Sequence, residues 1–327
     1  MSTVSVHVRK RPLSPSTTQV DARTVGSRRR ESRRRREGRT AALFLTPWLL
    51  GLVLITLGPL LASLYLSFTN YNLSAPPQWA GLSNYEQIFS DSQFLASLQV
   101  TFKYVGISVP LVLVGALGLA MLLNKGLRGL AIYRTLFYIP TLIGASVAIA
   151  VLWSEAFSVD GAFNQLLALF GIHGPPWLGD PSTALYTLIL LQVWTFGGIM
   201  VIFLAGLRQI PQDLYEASTV DGARRLQRFW HITLPMLSPI VFFNGILALV
   251  SAFQTFTPAF IISSGTGGPI NSTLLYSLYL YQQGFVDLRM GYASALAWFL
   301  LVLIGGFTAL AFATSRYWVF YREAAAT

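Results

Sequence analysis

The chain has 327 residues, 54% of them hydrophobic and only 11% charged, with a net charge of +10 and no cysteine. A soluble chain carries about 25% charged residues, so this composition excludes an ordinary soluble globule and points to a protein built on apolar helices. Disulfides, thiolate metal sites and thiol nucleophiles are excluded too, and His7, His173 and His231 stand too far apart for metal-ligand spacing.

The positive charge is concentrated at the start. Residues 1–40 hold about half of the basic residues, including Arg28, Arg29, Arg30 and Arg33 to Arg36, against three acids. The segment lacks the aromatics and folded motif of a nucleic-acid binder. The long apolar run that follows is not that of a cleaved export signal. It reads as a disordered cytoplasmic tail that fixes topology and touches anionic lipid headgroups.

Six apolar segments approach or exceed the ~20 residues a helix needs to cross the hydrocarbon core. They cover about 41–68, 98–123, 135–153, 184–207, 240–262 and 292–314. Pro47, the Gly58-Pro59 pair and Pro140 should bend or interrupt their helices. The predicted fold class is all-α: a polytopic membrane protein with six transmembrane helices in a domain over 41–315, closed by a short tail over 316–327. With the basic tail inside, the inner loops hold Lys125, Arg128, Arg134, Arg208, Arg224, Arg225, Arg228, Arg316 and Arg322. The outer loops hold one basic residue near the membrane, Arg289, and the acids Glu86, Asp91, Glu155, Asp160, Asp180 and Asp287. This asymmetry places both termini in the cytoplasm. The outer segments 70–93 and 158–182 read as ordered, partly helical caps. Trp79, Trp153, Trp177 and Tyr292 fit an interfacial aromatic belt.

Catalytic motifs are missing. There is no phosphate-binding loop, no metal-ligand spacing and no Gly-x-Ser-x-Gly elbow. Charged residues are also missing from mid-span, which weakens an ion-coupled carrier. The fourth and fifth spans carry neutral polar groups and aromatics instead: Gln192, Trp194 and Thr195, then Asn244, Ser251, Gln254, Thr255 and Phe256. Spaced four apart, Ser251 and Thr255 should share one helix face. Amides and hydroxyls beside rings suit a hydroxyl-rich, neutral solute. The competing reading is that they bond helix to helix.

Between those spans lies a polar, charged segment, Pro211 to Pro239. Pro211 suits a helix start, Gly222 a stop or sharp turn, and Ala223 to His231 a second short helix. Glu216-Ala217-Ser218, three residues, Gly222, nine residues, then Ile232-Thr233-Leu234-Pro235 resembles the EAA loop of bacterial ATP-binding-cassette (ABC) importer permeases. Ser218 replaces the second alanine of that pattern. Gly81-Leu82-Ser83-Asn84-Tyr85, Gly267-Gly268-Pro269 and the ending from Ser315 to Tyr321 are similar to the binding-protein-dependent carbohydrate-uptake permeases of the MalF/UgpA/LacF-like type.

This resemblance implies a MetI-like permease core in a bacterial inner membrane. It implies a second permease subunit, two cytoplasmic ATPase subunits that carry ATP and Mg, and an extracytoplasmic solute-binding protein. No cofactor would sit on this chain, which would be a transport subunit and not an enzyme. Glu216, Ala217, Ser218, Asp221, Gly222, Ile232, Leu234 and Pro235 would couple it to the ATPase. Gln192, Trp194, Thr195, Ser251, Gln254, Thr255 and Phe256 would line the path of a neutral di- or oligosaccharide. Glycerol-3-phosphate or a polyol is the runner-up solute, and an ion-coupled sugar carrier is the alternative of another class.

Overall fold

The computed structural model describes residues 44–125, 129–144 and 146–320. The Arg-rich tail, Arg128, Tyr321 and Arg322 lie outside the described residues. The chain falls into two units, Met1–Ala62 and Ser63–Thr327. In the first, the described part is the beginning of helix α1 (Phe44–Ser67), an apolar helix whose side chains are exposed along most of its length.

The remaining helices are α2 (Ser83–Ser90), α3 (Ser92–Leu123), α4 (Leu130–Ile143), α5 (Val147–Ala156), α6 (Ala162–Ala168), α7 (Ala184–Trp194) and α8 (Gly197–Gln209). They continue as α9 (Gln212–Val220), α10 (Arg225–Ile262), α11 (Tyr276–Tyr281) and α12 (Met290–Trp318). Among the described residues there are no strands, only an isolated bridge between Thr69 and Trp79. The described fold is all-α. Among the described residues four helices, α1, α3, α10 and α12, are long and apolar enough to cross a membrane. There are six spans if α4 with α5, and α7 with α8, each count as one.

Helix α3 is the spine of the larger unit. Asp91 caps it, its carboxylate accepting from Gln93 N at 2.9 Å and Phe94 N at 3.2 Å. This cap starts the helix at Ser92, earlier than hydropathy alone suggests, because a capping carboxylate satisfies amides that would otherwise be orphaned. One end of α3 packs into a core with Leu188, Phe253, Tyr276 and Leu296 around Phe94 and Tyr104. At its other end Ala116, Ala120 and Leu123 meet Met200, Phe203 and Leu204 of α8 and Leu237 of α10. Alanines four apart let those backbones approach closely, the usual device where lipid removes the hydrophobic drive between helices.

The segment after α9 departs from the expected pair of short helices. Arg225–Arg228 passes through a π-helical turn, Phe229–Thr233, straight into the long helix from Leu234. Pro235 lacks an N–H, and the wider turn just before it absorbs that gap without ending the helix. Tyr292 also departs from the belt reading. It is 2% exposed, and its hydroxyl donates to Asp91 Oδ2 at 2.8 Å. Trp153 and Trp177 use their indole N–H groups internally, on Thr187 O at 3.1 Å and Asn164 Oδ1 at 2.6 Å. Trp79 stays 68% exposed and stacks on Phe68.

Candidate functional site

Besides the bent α4–α5 pair, two membrane-spanning segments of the larger unit are broken, and both of these breaks face one cavity. Helices α7 and α8 meet at a bend of 44°, and Thr195 lies in the break. The Leu234–Phe253 stretch of α10 ends at Gln254, and the helix resumes at Thr257. Irregular backbone at membrane depth leaves peptide groups unpaired, so it persists only where protein or a polar cavity receives them. Here that place is a cavity of about 510 Å³ lined by residues of α3, α4, α7 and α10.

Gln192, Thr195, Ser251, Gln254, Thr255 and Phe256 all line this cavity. Trp194 does not: it packs on Trp153 with ring centroids 5.7 Å apart. Ser251 and Thr255 reach the cavity for a different reason from the expected one. Thr255 lies beyond the helix end, and its hydroxyl donates back to Ser251 O at 3.2 Å. Asn244 turns away from the cavity and donates to Ile240 O at 2.8 Å. The wall also includes Tyr104, whose hydroxyl donates to Gln192 Oε1 at 3.4 Å, and Thr141.

Thr141 follows Pro140 in a mostly apolar span, and that hydroxyl beside a proline is its signal in the sequence. Its hydroxyl donates to Thr195 O at 3.0 Å and accepts from Gly198 N at 2.8 Å. It therefore satisfies both sides of the α7–α8 break. The bend packs so tightly on α4 that a Cβ at Gly197 would collide with the carbonyl of Phe137. Among the described residues, no lysine, arginine, histidine, aspartate or glutamate lines the cavity. Its chemistry is amide, hydroxyl and ring: groups that can exchange hydrogen bonds and stack, but cannot hold an ionised solute by charge.

The polar segment from Pro211 to Pro239 lies between the same two broken elements in the chain. Helix α8 starts at the bend and ends at Gln209, beside buried Ile210. Pro211 is the residue before α9 and not its first helical residue. At the far end of α9, Asp221 is the C-cap and Gly222 follows at φ +74°. Ala223 N donates to Ser218 O at 2.9 Å and Gly222 N to Thr219 O at 3.1 Å. That pair of bonds is a Schellman turn, which needs a left-handed residue where Gly222 stands.

The motif residues divide by exposure. Glu216, Ala217, Asp221 and Gly222 are exposed, with Leu214 and Val220 beside them. Ser218 turns its hydroxyl back to Tyr215 O at 2.7 Å. Tyr215 bonds Thr233 across the turn at 3.0 Å, and Tyr215 and Ile232 pack on the core beneath. Leu234 and Pro235 are part of the half-buried stretch that opens the long helix. A smaller hollow of about 340 Å³ brings Ser218, Asp221, Gly222 and Ile232 together with Arg228 and His231. The arrangement is a helix with an exposed face, packed at its base through Tyr215 and Ile232.

Residues 129–320 match the family model of the binding-protein-dependent transport system inner membrane component. The chain is 52% identical to the probable ABC transporter permease protein YesP of Bacillus subtilis, over 88% of this chain and 94% of that protein. It is 33% identical to the lactose transport system permease protein LacF of Rhizobium radiobacter, over 84% of this chain and 93% of that protein. Its fold is similar to a chain of the bacterial alginate ABC transporter solved with a periplasmic protein bound. There the TM-score is 0.74 at 22% identity, with 86% of this chain and 95% of that chain covered. The chain belongs to the binding-protein-dependent transport system inner membrane component family and is a membrane-spanning permease subunit of an ABC transporter, a transport component and not an enzyme.

Proposed function

We propose that this chain is one of two permease subunits of an importer that moves a neutral di- or oligosaccharide into the cytoplasm. A solute-binding protein delivers the sugar from outside. ATP and Mg act on two partner ATPase subunits, and the exposed face of α9, with Glu216 and Gly222, docks on them. Both termini are cytoplasmic in an inner membrane. The observation that carries this reading is the convergence of two helix breaks on one neutral, hydroxyl- and ring-lined cavity. The cavity falls within the ~300–1,000 Å³ usual for ligand sites. The relatives named for lactose and for trehalose and maltose transport support the solute class.

A relative named for sn-glycerol-3-phosphate transport offers the competing solute. The uncharged wall argues against it, because an ionised phosphate leaves water only against a positive partner.

The test is ATP-driven uptake in proteoliposomes holding the full transporter. Gln192→Leu and Ser251→Ala should raise the half-saturating sugar concentration by about tenfold, the equivalent of one or two lost hydrogen bonds. Hydrolysis of ATP in the absence of sugar should be unchanged. Unaltered sugar saturation in both variants would remove the cavity from the path.

A further inference from the structure

At the other end of the larger unit Arg289 has no carboxylate partner among the described residues. The C-terminal end of α12 lies beside the start of the long α10 helix, where Phe320 N donates to Ser238 Oγ at 2.8 Å. Its N-terminal end is therefore about 43 Å away, at 1.5 Å per residue over its 29 residues. Arg289 sits there. Its guanidinium donates to Gln283 Oε1 at 3.0 Å and to Gln87 Oε1 at 2.8 Å, and lies 4.7 Å from the centre of the Tyr292 ring. Both acceptors are neutral amides.

The nearby acids are already engaged. Asp91 accepts from the hydroxyls of Tyr279 and Tyr292 and from two backbone amides. Asp287 accepts from Gln283 Nε2 at 2.7 Å. No carboxylate among the described residues pairs with Arg289. A half-buried guanidinium fixed in place but left without a counter-charge is costly to keep, and its geometry is set for a carboxylate. It opens on a hollow of about 220 Å³ lined by Asn70, Tyr71, Asn72 and Asn84. None of these residues lines the solute cavity, and the hollow is below the ~300 Å³ at which ligand pockets begin. It is the size for a side chain.

We infer that this hollow receives an aspartate or glutamate side chain of the docked solute-binding protein, with Arg289 as its ion-pair partner. The inference deepens the proposed function and rests on it. The surrounding outer segments carry acids, so a partner bearing one acidic side chain at this point is guided to this cation and repelled elsewhere. Such pairs act mainly on encounter and register.

The test titrates the transporter's own solute-binding protein into proteoliposomes of the full complex. Arg289→Gln should raise the concentration of binding protein giving half-maximal uptake by about tenfold. Maximal uptake and hydrolysis without binding protein should be unchanged, and Arg289→Lys should recover part of the loss. Asn72→Asp is the second variant. Asn72 Oδ1 accepts from Ser74 N at 3.2 Å, a bond an aspartate keeps, so the change adds only a charge inside the hollow. It should weaken docking as Arg289→Gln does, with Arg289 intact. Unchanged half-saturation in Asn72→Asp and in any Arg289→Gln protein that reaches the membrane would overturn the inference. Wild-type uptake that needs no binding protein would overturn the functional reading, and this inference with it.

Discussion

Asp91 illustrates how one side chain can organise an end of the molecule. Partial burial pushes its pKa up, but hydrogen bonds from Tyr279, Tyr292, Phe94 and Gln93 outweigh that and hold it below the ordinary 3.8. A carboxyl whose folded pKa is lowered stabilises the fold above its unfolded pKa and loses that contribution as pH falls through the folded value. The unfolding temperature in detergent should therefore drop as pH is lowered below about 4. Asp91→Asn keeps a good helix cap but gives up the charge. It should lower stability at neutral pH by ~1.5–3 kcal/mol, the range for hydrogen bonds to a charged group, and flatten the acid dependence. An unchanged acid profile would show that other carboxylates set it. Thr141 acts at the same scale inside the cavity wall. Thr141→Val removes both bonds to the α7–α8 break, whereas Thr141→Ser keeps them. Uptake by the serine variant should exceed that of the valine variant at equal membrane levels.

Helix α9 is an element whose end is set by one backbone angle. A Cβ at Gly222 would meet nothing within 4 Å, so the constraint there is conformational. At φ +74° a β-branched residue is strained, and asparagine is tolerated better than other side chains. Gly222→Val should abolish uptake without abolishing membrane insertion, and Gly222→Asn should retain a larger share. Equal loss in both would mean that the partner's surface, and not the turn, demands the glycine. The motif spacing was legible in the residues themselves, because a Schellman turn and a proline re-entry impose fixed offsets. The fate of the second short helix was not. Whether Arg225–Arg228 stops or continues depends on how the turn before Pro235 widens, which hydropathy does not record. The helix breaks were equally hidden. Gln254 and Thr195 read as ordinary mid-span polar residues, and only packing against α4 and α5 decides that the backbone opens there.

Across the whole molecule, α8 and α10 each join an end of the coupling segment to one of the two breaks at the cavity. Helix α8 is 13 residues long, about 20 Å of rigid rod. Movement of α9 by a partner would be transmitted along α8 to the bend at Thr195, and through α10 to Gln254. The five-residue polar set, Gln192, Thr195, Ser251, Gln254 and Thr255, was legible because amides and hydroxyls are rare in apolar spans. Trp194 was misplaced because side-chain direction around a bend cannot be taken from helical spacing. Tyr104 and Thr141 come from other spans, and only the packing brings them to the same wall. The measurement that tests coupling most directly is sugar uptake against ATP hydrolysis by the reconstituted transporter carrying Glu216→Ala. Glu216 is exposed on α9 and far from the cavity along the chain. On this account uptake falls by at least tenfold while the permease inserts normally and the isolated solute-binding protein still binds sugar. ATP-dependent uptake at the wild-type rate would contradict it.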